Sequence, residues 1–116
     1  MQVTKLTLLQ KQRTLAITFD NGEQYELPCE YLRVYSPSAE VRGHGGQSSV
    51  LQTGKKNVNI IGIDPVGNYA VKLIFDDGHN TGLYSWDVLY DLATHHAKYW
   101  EDYLTRLKNN GSSREA

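Results

Sequence analysis

Scarce cysteine, no surplus of charge and no long apolar run set the first bounds on this 116-residue sequence. Cys29 is its only cysteine, which forbids an intramolecular disulfide and a Cys-rich zinc knuckle and suits a reducing compartment. The cytoplasm is the expected location. Twelve Lys and Arg oppose thirteen Asp and Glu, for a net charge of -1. No overall field draws the chain to nucleic acid or to an anionic membrane, and neither is expected as a partner. The opening "MQVTKLTLLQKQ" is interrupted by Lys5, Gln10 and Lys11, and no apolar run approaches the ~18 residues of a membrane span. A soluble, unprocessed chain is expected.

Several chemical signatures are missing too. There is no G-x-x-x-x-G-K-[ST] or strand-following G-x-G-x-x-G for a nucleotide, no G-x-S-x-G or Cys-His nucleophile pattern, and no H-E-x-x-H. His95 and His96 are adjacent, so on a helix they diverge by about 100° and cannot share a metal. His96 is expected to pack and His95 to be exposed. Cys29 reads as a small, partly buried thiol.

What is present has the periods of a small α+β domain. Leu15, Ile17 and Phe19 alternate with Ala16 and Thr18, "DNG" turns the chain at Asn21 and Gly22, and Tyr25 and Leu27 resume the alternation. An offset of 56 residues lays Phe19, Asp20, Asn21, Gly22 and Leu27 on Phe75, Asp76, Asp77, Gly78 and Leu83. Each hairpin leads into a helix-permitting stretch. Two similar hairpins are a blander account of this echo than a duplication. "DPVGN" joins "VNIIGI" to "YAVKLIF" and completes an antiparallel meander over about Val58 to Leu83; a strand around Val3 to Leu9 precedes everything. Ser85 is placed as an N-cap with Asp87 in the first turn, and apolar residues from Leu89 to Leu107 recur at three- and four-residue steps. One long amphipathic helix is expected there. The expected fold is a small antiparallel β-sheet domain of hairpins and a meander, residues 1–110, followed by a disordered tail, 111–116.

Residues Ser36 to Asn57 carry no clean period, and a loop of that length in a compact domain is usually functional or disordered. Arg33, Ser36, Ser38, Glu40, Arg42, Lys55 and Lys56 are its candidate binding residues. His44, among glycines in "RGHGG", and His79, after the second hairpin turn, are the candidate metal ligands. A solvent-exposed turn histidine is the plainer reading of His79.

"YLRVYSPSAEVRGHG", "LQTGKKNVNIIGI" and "FDDGHNTGLYSWDVLYDL" together resemble the gamma-butyrobetaine hydroxylase-like N-terminal domain family, a bacterial family of unknown function, over about Leu6 to Leu92. Members typically carry a proline after the GHG, where this chain reads "GHGGQSSV". In the hydroxylases behind the family name, the similar domain precedes an iron- and 2-oxoglutarate-dependent catalytic domain and holds zinc through three cysteines and a histidine. The resemblance puts Ser36, Ser38 and Val41 where the thiolates would be and His79 at the histidine. It therefore implies that His79 pins the Ser36–His44 loop by hydrogen bonds where relatives use zinc.

No H-x-D with a distal histidine on a second β domain is present, so the relatives' oxidation is not expected. Similar domains fused to P-loop ATPases that handle iron–sulfur clusters imply an adaptor. The leading expectation is a non-catalytic interaction domain with a protein partner, linked to metal or iron–sulfur metabolism. The alternative is a weak iron or zinc site of His44 and His79 with Asp77 or Glu40, open to sharing across a dimer.

Overall fold

Leu15, Ile17, Phe19 and Leu27 each keep 1% or less of their surface exposed while their neighbours face outward. That alternation sets the register of the first sheet. The computed structural model describes residues 1–38 and 50–115. The stretch 39–49, with Glu40, Val41, Arg42 and His44, lies outside the described residues.

The first sheet runs β1 (Val3–Leu9), β2 (Thr14–Phe19) and β3 (Gln24–Pro28) in spatial order, all antiparallel, and leads into α1 (Cys29–Val34). The second runs β4 (Ile60–Val66), β5 (Ala70–Phe75) and β6 (Leu83–Ser85) and leads into α2 (Trp86–Thr94). Helix α3 (His96–Asn109) follows. Pro65 lies within β4 rather than in the turn; at the edge of a sheet its missing N–H costs little. Gly67 takes the turn's left-handed conformation, φ +56°.

The sequence echo extends well beyond the hairpins. β1 and β4 carry the same irregularity 57 residues apart, between Val3 and Lys5 and between Ile60 and Gly62. α1 and α2 begin at Cys29 and Trp86, again 57 apart. Both tight turns use the same bonds: Phe19 N to Glu23 O (2.9 Å) and Gly22 N to Phe19 O (3.0 Å), matched by Phe75 N to His79 O (3.0 Å) and Gly78 N to Phe75 O (3.2 Å). Only the glycines, at φ +87° and +90°, are left-handed there. Asn21, expected to share that role, instead accepts the Glu23 N–H on its side-chain oxygen, as Asp77 does for His79.

One match needs correcting. Leu15 pairs Leu27 whereas Val71 pairs Tyr84, so the second β-turn-β connection is one residue longer and the partner of Leu27 is Tyr84, not Leu83. Leu83 is 39% exposed and Tyr84 is fully buried. The chain thus contains two β-β-β-α units, and each hairpin turn reaches the other unit's helix: Glu23 accepts from the Tyr90 hydroxyl (2.7 Å), and Asp77 accepts from Arg33 Nε (2.9 Å). Tyr90 and Arg33 are themselves 57 apart.

One core joins the inner faces of both sheets to Tyr31, Leu32, Leu89, Leu92 and Ala93. Burying a side chain of Leu size contributes ~1.5–3 kcal/mol. Ser85 Oγ caps α2 by accepting from Val88 N at 3.2 Å. The expected single C-terminal helix is two: the chain leaves helical geometry at His95 (φ -111°, ψ 22°). Asp91 spans the break, with its carboxylate 3.1 Å from His95 Nδ1 and 3.0 Å from the Tyr99 hydroxyl. His95 is exposed, and the His96 ring packs with its centroid 4.4 Å from that of Tyr31, tilted by 36°.

A second, smaller cluster joins Val34 on α1 to Tyr103 and Leu107 on α3, with Leu51 against them. The segment after α3 makes contacts with residues 54–56 through Glu115. Gly54 N donates to Ser113 O and Lys56 N to Arg114 O, both at 3.1 Å.

Candidate functional site

The end of α1 delivers Arg33, Ser36 and Ser38 to one place, and the β5–β6 connection delivers Asp77, His79 and Thr81 to the same place from the opposite unit. His79 is only 5% exposed and Ser36 1%, so His79 is no solvent-exposed turn residue. Its Nε2 lies 2.8 Å from Ser36 Oγ, which also accepts the Ser38 N–H at 3.3 Å. Beside this, Ser38 Oγ and Thr81 Oγ1 are 2.6 Å apart. Gly82 is required by packing: a Cβ there would collide with Ser36 Oγ and come within 3.1 Å of the Tyr84 ring. Burying Ser36, Ser38 and His79 is tolerable because their polar atoms have hydrogen-bond partners. The Tyr84 hydroxyl closes the floor by donating to Leu32 O at 2.5 Å.

Asp77 organises the rim. Its Oδ2 receives Arg33 Nε at 2.9 Å and Lys55 Nζ at 3.1 Å, while Oδ1 receives the His79 N–H at 3.2 Å. Partial burial pushes this carboxyl up, but the Lys55 and His79 hydrogen bonds and the Arg33 charge outweigh it and hold Asp77 below its ordinary value. Arg33, itself buried, also donates from Nη1 to Gln52 Oε1 at 3.0 Å. The Tyr103 hydroxyl then fixes the Gln52 carbonyl at 2.7 Å. Both flanks of residues 39–49 are therefore anchored, Ser36–Ser38 by the His79 connection and Leu51–Gln52 by Arg33, Tyr103 and the small cluster.

Of the residues singled out in the sequence, Arg33, Ser36, Ser38, Lys55 and His79 are brought together here. Lys56 stands apart, 45% exposed and paired with Glu115 at 2.9 Å. Glu40, Arg42 and His44 lie outside the described residues. Gln52, Thr81, Gly82 and Tyr84 belong to the site without having been foreseen. Only Gly82, a second glycine four residues after the turn glycine, left a trace in the sequence.

The described donors do not suit a structural zinc. Such a site wants four nitrogen or thiolate ligands, and this one offers a single imidazole, the hydroxyls of Ser36, Ser38 and Thr81, and an Asp77 carboxylate already paired with Arg33 and Lys55. Among the described residues, no group of three His, Cys, Asp or Glu side chains is placed to hold a metal ion. Cys29 is remote and inert, fully buried on α1 with its thiol pushed up by desolvation. No helix among the described residues is long and apolar enough to cross a membrane.

Comparison with known proteins places this geometry in a family. A solution NMR structure of a protein 64% identical superposes with a TM-score of 0.85, covering 97% of this chain and 84% of that one. A second NMR structure, 48% identical, gives 0.85 over 99% and 91%. A crystal structure from Acidithiobacillus ferrooxidans, of a protein of unknown function in family DUF971, is 35% identical with a TM-score of 0.67 over 79% and 92%. No curated protein matches. The model described as gamma-butyrobetaine hydroxylase-like, N-terminal, matches residues 6–90, from the middle of β1 to the middle of α2. On that match, this chain belongs to the gamma-butyrobetaine hydroxylase-like N-terminal domain family.

Proposed function

We propose that the chain is a non-catalytic docking domain, and that the polar cluster between its two units is scaffolding for a protein-binding face rather than a reaction centre. The observation that carries this is the Ser36–His79 contact at 2.8 Å between two buried side chains. A nucleophile must meet substrate, and this hydroxyl is packed against Gly82 and sealed from water. Arg33 likewise spends its charge on Asp77 and Gln52. On the anchored flank, the apolar Val50 is 51% exposed and open to a partner. The link to metal or iron–sulfur metabolism rests on the family resemblance, and the identity of the partner decides it.

The test is affinity capture from a bacterial lysate with the wild-type chain and Val50→Glu, the melting temperature of each being checked first. A specific protein retained by the wild type and lost from the variant is the expected result. Equal recovery by both, or none alongside saturable binding of a small molecule, would overturn the reading.

A further inference from the structure

Glu30 opens α1 with a side chain only 6% exposed, and its carboxylate meets a guanidinium from beyond α3. Arg114 Nε lies 2.8 Å from Oε2 and Nη2 2.7 Å from Oε1, a two-pronged pairing that a lysine cannot reproduce. The same guanidinium sits 5.2 Å over the Trp100 ring, which packs against Tyr103. A buried carboxylate beside an aromatic face is a receptor for a planar cation. The backbone adds to it. Gly54 N and Lys56 N donate to the carbonyls of Ser113 and Arg114, and Lys56 Nζ reaches the Glu115 carboxylate. The recognised unit is thus a short segment with an arginine followed by an acidic residue, held by both its backbone and its side chains.

We propose that Glu30, Trp100 and the 54–56 backbone form a peptide-recognition pocket selective for arginine, which Arg114 fills in cis and an Arg-acidic peptide takes when that segment is withdrawn. Trp100 and Arg114 lie beyond residues 6–90, the region matched by the family model. The pocket is separate from the Arg33–Asp77 rim and would stand if the docking reading fell.

The test uses the chain ending at Gly111 and the N-acetylated peptide SSREA, with the Trp100 indole N–H followed by NMR. Saturable binding is expected, roughly tenfold weaker for the lysine-for-arginine peptide, lost with Glu30→Gln and absent from the full chain, whose pocket is filled. A folded shortened chain that gives no saturable response, or binds both peptides alike, overturns the proposal. Should the shortened chain not fold, full-length Arg114→Ala takes its place. Methylguanidinium, at concentrations too low to denature, should raise its melting temperature but not that of Arg114→Ala with Glu30→Gln. Equal effects on the two overturn the proposal.

Discussion

At the scale of single residues, the site is a set of polar atoms that satisfy one another, so its energetics lie in what each removal leaves behind. Gly82→Ala drives a methyl into Ser36 Oγ and the Tyr84 ring. Overpacking of that kind costs ~1–3 kcal/mol, and chemical denaturation should show a smaller loss when Ser36→Gly is present as well. Asp77→Asn strips buried Arg33 of its carboxylate and should cost about 1–3 kcal/mol at neutral pH. Because the folded-state value of Asp77 lies below its ordinary 3.8, the unfolded chain binds more protons between the two. The stabilisation is therefore complete above 3.8 and fades as pH falls through the folded value. The melting temperatures of wild type and Asp77→Asn should converge on acidification below about pH 4, and a constant gap would contradict the assignment. His79 was visible in the sequence as a residue worth explaining, but its burial was not. Turn histidines are ordinarily wet, and only the pairing of the two units encloses this one.

At the scale of elements, strands were easier to read than helix continuity. Alternating burial and turn glycines leave a local signature, so β1, both hairpins and the β4–β5 meander fall where the pattern puts them. The break at His95 has no such signature, since apolar spacing from Leu89 to Leu107 runs on through it. What makes it possible is tertiary. The Tyr31 hydroxyl, carried by α1 and fully buried, donates to the Leu92 carbonyl at 2.6 Å, in the last turn of α2, where carbonyls lack partners within the helix. Tyr31→Phe should leave that carbonyl unsatisfied and cost about 1–3 kcal/mol in a thermal melt. A loss below about 0.5 kcal/mol would show that water or backbone replaces the bond. The segment after α3 is a similar case. Residues 112–115 have no period of their own, so their contacts with Glu30, Trp100 and Gly54–Lys56, far away in sequence, left no trace there.

At the scale of the whole molecule, two β-β-β-α units share one core and exchange turn-to-helix contacts, an arrangement the 56-residue echo hinted at and the one-residue slip after the second turn partly hid. The equivalence makes an energetic prediction. Leu32 and Leu89 occupy matching helical positions, both with no exposed surface, and Leu→Ala at either should cost a similar ~2–5 kcal/mol. A large cost at one and little at the other, by urea denaturation, would mean that the units are not energetically equivalent. The candidate site sits on the seam between the units, where α1 of the first meets the second turn of the other. For that reason Ser36 and His79, 43 residues apart, are joined from the sequence only through a family resemblance. The claim that this seam contact anchors the flank of residues 39–49 is tested most directly by amide hydrogen exchange, residue by residue, in wild type and His79→Ala. The account predicts a lower melting temperature in the variant, with exchange accelerated at Ser36, Ser38 and His79–Gly82 and unchanged in the β2–β3 hairpin. Unaltered melting with unaltered exchange at Ser36 and Ser38 would contradict it.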